Sequence, residues 1–580
     1  MEIDGIKDQE AALPDTQVES PDAASRGPGP ENSLLVIPLG GLEEIGLNMT
    51  VFQYAGDLII VDAGLMFPED DMLGVDFVIP DFSYVLENRE KVRGIVLTHG
   101  HEDHTGALPF LLRELKVPVY GTLLTLALVR EKLVEHELTD ISLVPVKPRE
   151  IISLGRFDVE FIRVTHSIVD GVGLGIRTPL GNIIHTGDFK LDPTPVDGQL
   201  MDFHKFSEYG ENGTLLMLSD STNAEKGGFT FSEKEVRRAF DDIFAKAKGR
   251  IIIATFASNI HRIQQAIDVA VQCGRRVIMC GRSMVCNSQI ALELGYLKMP
   301  EHTWVRLEDL KSLHDEEVVI ITTGSQGEPM SVLSRIATDE HKQIKVKAGD
   351  TVILSAKVIP GNERSIGRII NHLMRRGADV IYEKVSDIHV SGHASKEELK
   401  LMINLVRPRY FMPIHGEYRH LSYHARLAEK SGIPKENIFI MEDGVVLEVD
   451  SEGVRKNGKV NSGRVFIDGK DAGGVEDIVL RDRRRLAHDG IVIVLVGIEK
   501  LTRKIISGPE IISRGFIFED ASQDIISEVR GLMAASLSEF SDDVLADTAV
   551  VQTKLRSILK KYLRNTMDRR PMIMPIIMEV

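Results

Sequence analysis

The chain has 580 residues, 43% of them hydrophobic and 27% charged, with a formal net charge of −17. That length exceeds what one hydrophobic core serves, so about two to four domains are expected. The acidic balance excludes a surface that binds polyanions everywhere but leaves room for a local basic channel. No apolar run reaches the roughly 18 residues of a membrane-spanning helix, so a membrane partner is not expected.

In chain order, residues 1–33 come first, with Glu2, Asp4, Asp8, Glu10, Asp15, Glu19, Asp22 and Glu31 against only Lys7 and Arg26. Few large apolar residues accompany them, which predicts a disordered acidic tail without an assigned function. The tail lacks the apolar stretch of a signal peptide. Three unpatterned cysteines, Cys273, Cys280 and Cys286, suit a reducing compartment, so a cytoplasmic location is expected.

From Leu34 short apolar runs alternate with Gly and Asp: a strand and glycine turn over 34–41, then a strand pair over 50–54 and 57–64. Asp62 ends the last of these, before a small residue and a glycine, as a turn former would. The run Gly94-Ile95-Val96-Leu97-Thr98 leads directly into His99-Gly100-His101-Glu102-Asp103-His104. In an extended turn His99 and His101 share one face, while Asp103 and His104 round the corner toward a second locus. This is the layout of a two-metal site, with imidazole and carboxylate donors suited to zinc or manganese. The helical zincin pattern is excluded, because position 105 is Thr and no second histidine stands at the required spacing.

Further strands over 151–154, 159–166, 181–188 and 215–223 place His166, Asp188 and Asp220 at strand ends. An α/β block then begins. Helices over 232–247, 261–272 and 283–294 alternate with strands over 250–255, 276–280 and 318–323, which predicts a doubly wound parallel sheet at 232–375. Histidines return at strand ends in His389-Val390-Ser391-Gly392-His393 and at His415. The α/β block is therefore an insertion within a domain made of 34–231 and 376–450. A strand-rich linker over 451–475 and a small α/β unit over 476–580 complete the chain.

The segments Gly41-Leu42-Glu43-Glu44-Ile45-Gly46, HGHEDH (99–104), HTGDFK (185–190), SDSTNA (219–224), HVSGHA (389–394) and PIHGEY (413–418) resemble the metallo-β-lactamase superfamily. More closely, they are similar to its β-CASP nucleases of the bacterial ribonuclease J family. The resemblance runs from about residue 35 to the C-terminus and implies an αββα sandwich with an inserted β-CASP domain and a small C-terminal domain. It implies that His99, His101 and His166 hold one Zn2+ or Mn2+ and that Asp103, His104 and His415 hold another. Asp188 would bridge the two, with Asp62 supporting the metal loop. A hydroxide activated by both cations would attack the RNA phosphodiester in line.

The leaving oxygen would be protonated by His393 oriented by Asp220, or His393 would serve only as a phosphate ligand. Residues His389, Val390, Ser391, Gly392 and His393 match the family's pocket for a 5′-terminal phosphate, which implies a preference for 5′-monophosphorylated RNA. Ser258 and Arg262 are candidates for further phosphate contacts. Gly74, Asp76 and Asp468 match positions of a structural calcium, and oxygen donors suit that ion. The run Arg481-Asp482-Arg483-Arg484-Arg485 is either an RNA contact or an interdomain element.

What the resemblance implies is a metal-dependent 5′→3′ exonuclease and endonuclease of RNA maturation and mRNA decay, forming a homodimer or homotetramer and meeting other RNA-decay proteins. The alternatives are a small-molecule metallo-hydrolase and a non-catalytic scaffold of an RNA-decay complex. DNA stays open as a substrate, since no identified residue reads a 2′-hydroxyl.

Overall fold

A computed structural model describes residues 32–580 apart from 70, 329, 359–361, 384, 386, 387, 470, 476 and 517–522. The expected acidic tail therefore lies almost wholly outside the described residues.

Two sheets face each other at the centre of the molecule. One has eight strands, ordered Val454–Lys459, Val445–Val449, Leu34–Gly40, Met49–Tyr54, Asp57–Val61, Val92–Val96, Val119–Gly121 and Leu143–Pro145. The other has six, from Tyr410–Ile414 through Thr214–Asp220, Gly181–His185, Val172–Thr178 and Phe157–Arg163 to Ile151–Leu154. Alternation along the strands splits their side chains between two cores. Leu34, Phe52 and Ile59 meet Phe157, Leu174 and Met412 between the sheets. Ile37, Val51 and Ile60 instead face outward, against helix Leu108–Glu114. On the far side, Phe206, Leu399 and Met402 of two helices cover the six-stranded sheet. The result is the expected αββα sandwich.

The strand Tyr410–Ile414 is the structural reason why distant residues meet. It pairs in parallel with Thr214–Asp220, placing Ile414 beside Asp220. Between these two strands in sequence lies the inserted domain. Its five parallel strands run Arg276–Cys280, Val318–Thr322, Ile251–Ala254, Thr351–Leu354 and Asp379–Ile381, with apolar cores on both faces. Isoleucine and valine runs such as Ile251-Ile252-Ile253 are buried throughout, as strands covered on both faces require.

The stretch after residue 450 is more closely bound to the body than a free connector. Val454–Lys459 forms the edge of the eight-stranded sheet, and Arg464–Asp468 pairs antiparallel with Phe77–Pro80. The terminal unit has a three-stranded sheet, Ile505–Arg514, Ile491–Ile498 and Met572–Glu579, packed on helices Gln523–Ser538 and Thr548–Met567. No helix among the described residues is long and apolar enough to cross a membrane. All three cysteines are free.

Candidate active site

At the rim of the sandwich, strand Val92–Val96 ends just before His99, and a one-turn helix, Glu102–Thr105, closes the metal loop. His101 is the residue before that helix and has extended backbone. His99 Nε2 and His166 Nε2 lie 3.0 and 3.1 Å from His101 Nδ1. The three ligand atoms form one potential metal group, and Asp103, His104, Asp188 and His415 form a second. Asp188 Oδ2 stands between them, 3.3 Å from His104 Nε2, 3.6 Å from His415 Nε2, 3.7 Å from His99 Nε2 and 3.8 Å from His166 Nε2. The loop thus contributes to both groups, with Asp188 Oδ2 lying between them.

Electrostatics divides the loci. Burial holds His99 well below the ordinary imidazole range, His101 near about 4 and His166 near about 3. Those rings are neutral at physiological pH and present lone pairs. At the second locus burial also opposes a charged ring, yet Asp188, Asp103 and Asp62 together push His104 up to about 10. His415 is likewise raised by Asp188, Asp103 and Asp220 against the effect of burial. Asp103 and Asp188 stay well below the carboxylate range because the surrounding histidines outweigh their burial. Three neutral imidazoles converging on one point, beside a carboxylate-rich point, is a donor set that fits two divalent cations.

Partners on the far side of each ring fix its orientation, as metal-binding histidines require. His104 Nδ1 donates to Asp62 Oδ2 (2.7 Å), and Asp62 in turn accepts from the Thr98 amide and hydroxyl, both at 2.8 Å. His166 Nδ1 donates to the Gly392 carbonyl (2.7 Å). His415 Nδ1 lies 2.6 Å from Thr222 Oγ1. Two of the residues involved, Asp62 and His415, have left-handed backbone, with φ of 61° and 57°. Non-glycine residues in that region cost free energy, and such strain concentrates at functional sites. Asn48 was not among the sequence candidates. Its Nδ2 donates to the Asp103 carbonyl (3.0 Å) and lies 3.2 Å from His104 Nε2.

The second histidine segment arrives beside the metal loci. His393 Nδ1 donates to Asp220 Oδ2 (2.8 Å), which leaves Nε2 free for a substrate. Asp220 Oδ1 accepts from the Thr222 amide and hydroxyl at 2.9 and 2.7 Å. Asn223, also missed in the sequence, donates to Ser391 Oγ (2.8 Å) and to the His393 carbonyl (2.9 Å). Val390 is buried, and His389 is held neutral, near about 3, chiefly by burial.

Two sequence expectations are corrected. Arg262 is completely buried, not a surface group near a helix start. Its guanidinium donates to Glu233 Oε2 (2.8 Å), Ser355 Oγ (2.7 Å) and the Ile388 carbonyl (2.9 Å), and its complete burial leaves no face for phosphate. It braces the start of the 389–393 loop instead. Ser258 is half-buried on the turn before helix Ile260–Gln272, whose cap is supplied by Asn259. The donors expected for calcium do not fit an ion as arranged. Arg483 Nη1 donates to the Gly74 carbonyl (3.0 Å) and Nη2 to Asp468 Oδ2 (2.6 Å), while Asp76 Oδ2 accepts from the Gly469 amide. The guanidinium supplies the positive charge there. With Arg484 bonded to the Asp71 carbonyl (3.0 Å), the arginine run acts as an interdomain element.

Family models match consecutive parts of the chain. They are the metallo-beta-lactamase superfamily over 44–244, the ribonuclease J beta-CASP domain over 248–373, the Zn-dependent metallo-hydrolase RNA specificity domain over 377–441 and the ribonuclease J C-terminal domain over 478–580. Ribonuclease J 1 of Streptococcus pyogenes is 45% identical across 94% of this chain and 98% of its own length. Ribonuclease J of Thermus thermophilus is 44% identical across 96% and 97%, and ribonuclease J2 of Bacillus subtilis 43% across 94% and 98%. Among solved structures, a protein of unknown function from Enterococcus faecalis V583 shares the fold with a TM-score of 0.51 at 15% identity. The match covers 71% of this chain and 99% of that one. The chain belongs to the ribonuclease J family of metal-dependent, hydrolytic ribonucleases.

Proposed function

We propose that this ribonuclease degrades RNA from a 5′-monophosphorylated end in the 5′→3′ direction and also cuts internally, in RNA maturation and mRNA decay in the cytoplasm. The observation that carries this reading is the 389–393 loop. Its Gly392 carbonyl is bonded to the metal-locus histidine His166, and its His393 to Asp220. A terminal phosphate received by that loop would be held at a set distance from the metal loci, so cleavage would be measured from the end.

Two Zn2+ ions, or Mn2+, would occupy the His99/His101/His166 and Asp103/His104/His415 groups, with Asp188 shared. When bound they supply Lewis acidity for water activation and charge neutralisation at the phosphoryl group. The protein does the rest. Asp188, held well below the carboxylate range, keeps its negative charge and serves as a ligand; it is too weak a base to take a proton. Asp220 fixes His393 with Nδ1 protonated. As a water oxygen bonds to phosphorus and the bond from phosphorus to the 3′-oxygen breaks, His393 Nε2–H would give its proton to that 3′-oxygen, and the proton lost by the water would pass to solvent. Assembly as a homodimer or homotetramer is part of the same reading. It is supported by Ile506, Met574 and Met578, exposed on the strands of the C-terminal sheet.

Body-labelled RNA bearing one or three 5′ phosphates tests the proposal. Metal-dependent release of mononucleotides, faster from the monophosphate, is expected. Equal decay of both substrates, or decay without metal, would contradict it.

A further inference from the structure

The 388–393 loop is gripped from both domains. At its start the Ile388 carbonyl accepts from Ser355 Oγ (2.6 Å) and from Arg262, both in the inserted domain. Toward its end, Asn223 of the metallo-hydrolase domain donates to Ser391 and His393. A lysine stands just past each grip. Lys357 lies two residues past Ser355; Lys226 lies three past Asn223, on a turn closed by its amide bonding the Asn223 carbonyl (2.9 Å). Their side chains lie within interaction distance of one another, and the charge of Lys357 also reaches His389 of the loop.

That juxtaposition is unfavourable by itself. Lys226 is half-buried, and burial together with the charge of Lys357 lowers it to about 8. Among the described residues neither lysine has a carboxylate within 4.0 Å. The acidic groups that act on Lys226 are Glu383 and Glu225, and Glu225 is engaged by Arg419 at 2.9 Å. Two like charges in a partly desolvated seam repel one another unless an anion lies between them.

Apart from His393, whose charge is matched by Asp220, the loop by contrast has donors but no charge. His389 is neutral and its Nδ1 is buried without a partner among the described residues, Ser391 offers a hydroxyl, and Gly392 offers backbone. The other cations behind it are committed: Arg262 to Glu233 at 2.8 Å, and Lys190 to Glu233 and Asp192 at 3.6 and 3.7 Å. A terminal phosphate monoester carries a charge of about −1.5 to −2 at neutral pH, which uncharged donors leave unbalanced.

We propose that Lys226 and Lys357 form a cation clamp, one lysine from each domain, for the terminal phosphate monoester of an RNA strand, completing the site whose neutral half is the 389–393 loop. The inference rests on the reading of a 5′-monophosphate preference above. It adds the residues that carry the charge, and it makes the ligand a bridge between the two domains.

The test uses the metal-loaded full chain and a non-cleavable 2′-O-methyl oligonucleotide bearing either a 5′-phosphate or a 5′-hydroxyl. Affinity is read by fluorescence anisotropy at several salt concentrations. Lys226→Met and Lys357→Met should each weaken the 5′-phosphate form about tenfold and reduce its salt slope by about 0.7, while binding of the 5′-hydroxyl form changes little. Thermal denaturation supplies a second reading. Without ligand either variant should melt no lower than the parent, because a repulsion is removed, and uridine 5′-monophosphate should raise the parent's Tm but not the variants'. A 5′-phosphate preference that survives both substitutions overturns the clamp. So does an equal loss for both oligonucleotides, which would assign the lysines to internal phosphodiesters. A parent protein with no 5′-phosphate preference contradicts the functional reading instead, so the two failures are distinguishable.

Discussion

His166 and Gly392, 226 residues apart in the chain, are joined by a 2.7 Å hydrogen bond from the imidazole Nδ1 to the glycine carbonyl. The bond turns His166 Nε2 toward the metal locus and ties the position of the 389–393 loop to that same ring. A Cβ at residue 392 would lie 2.7 Å from the His166 ring atoms Cε1 and Nδ1 and 2.8 Å from Ser167 Oγ. Close approach, not backbone conformation, is what requires glycine here.

Gly392→Ala should therefore displace a metal ligand and the loop together. A misplacement on the order of 1 Å costs about 100-fold in rate, so RNA cleavage should fall by about that factor and metal affinity with it, while far-UV circular dichroism stays unchanged. Full activity in the alanine variant would show that the loop and the ring are not coupled.

The proposed role of His393, giving a proton from Nε2, differs measurably from that of a phosphate ligand. His393→Ala should lower kcat on ordinary RNA by about 10²- to 10⁴-fold. RNA with sulfur in place of the scissile 3′-oxygen has a leaving group that needs no proton, and it should lose little. Equal slowing on both substrates, with a raised KM, would assign His393 to phosphate binding alone.

Acid stability has a contributor outside the metal loci. His424 is fully buried and held near about 3 by burial, with Nδ1 on Ser221 Oγ (3.0 Å) and Nε2 unpartnered among the described residues. The unfolded chain protonates this ring near its ordinary value of 6.5 and the folded chain only near 3. Between those values the unfolded state binds more protons, so stability falls as pH drops from about 6.5. Thermal denaturation from pH 7 to 5 should show that fall, and His424→Gln should flatten it. Identical pH profiles for both proteins would exclude His424 as a source.

What could be read in the sequence was local. His99, His101, Asp103 and His104 are neighbours, so their spacing alone implied two loci. His415 came with the family resemblance, because no spacing predicts that strand Tyr410–Ile414 pairs beside Thr214–Asp220 across an inserted domain. Arg262 was misread for the same reason. Its partners Glu233, Ser355 and Ile388 lie 29, 93 and 126 residues away, and they turn an apparent surface arginine into a buried brace. Gly74, Asp76 and Asp468 looked like oxygen donors awaiting a cation, but the one that reaches two of them, Arg483, belongs to the next helix, Asp477–Asp489. Residues such as Asn48 and Asn223 act through backbone carbonyls, which leave no side-chain pattern to detect.

The 99–104 loop, together with His166, Asp188 and the distant His415, is proposed to build two metal loci that serve RNA cleavage. Metal content of the purified protein and of His415→Ala, measured alongside cleavage of 5′-labelled RNA, tests it most directly. The account predicts two metals in the parent. In the variant it predicts a weakened metal at the Asp103/His104 locus, the other retained by His99, His101 and His166, and cleavage largely lost. Two metals held at full affinity by His415→Ala, or undiminished cleavage without them, would contradict it.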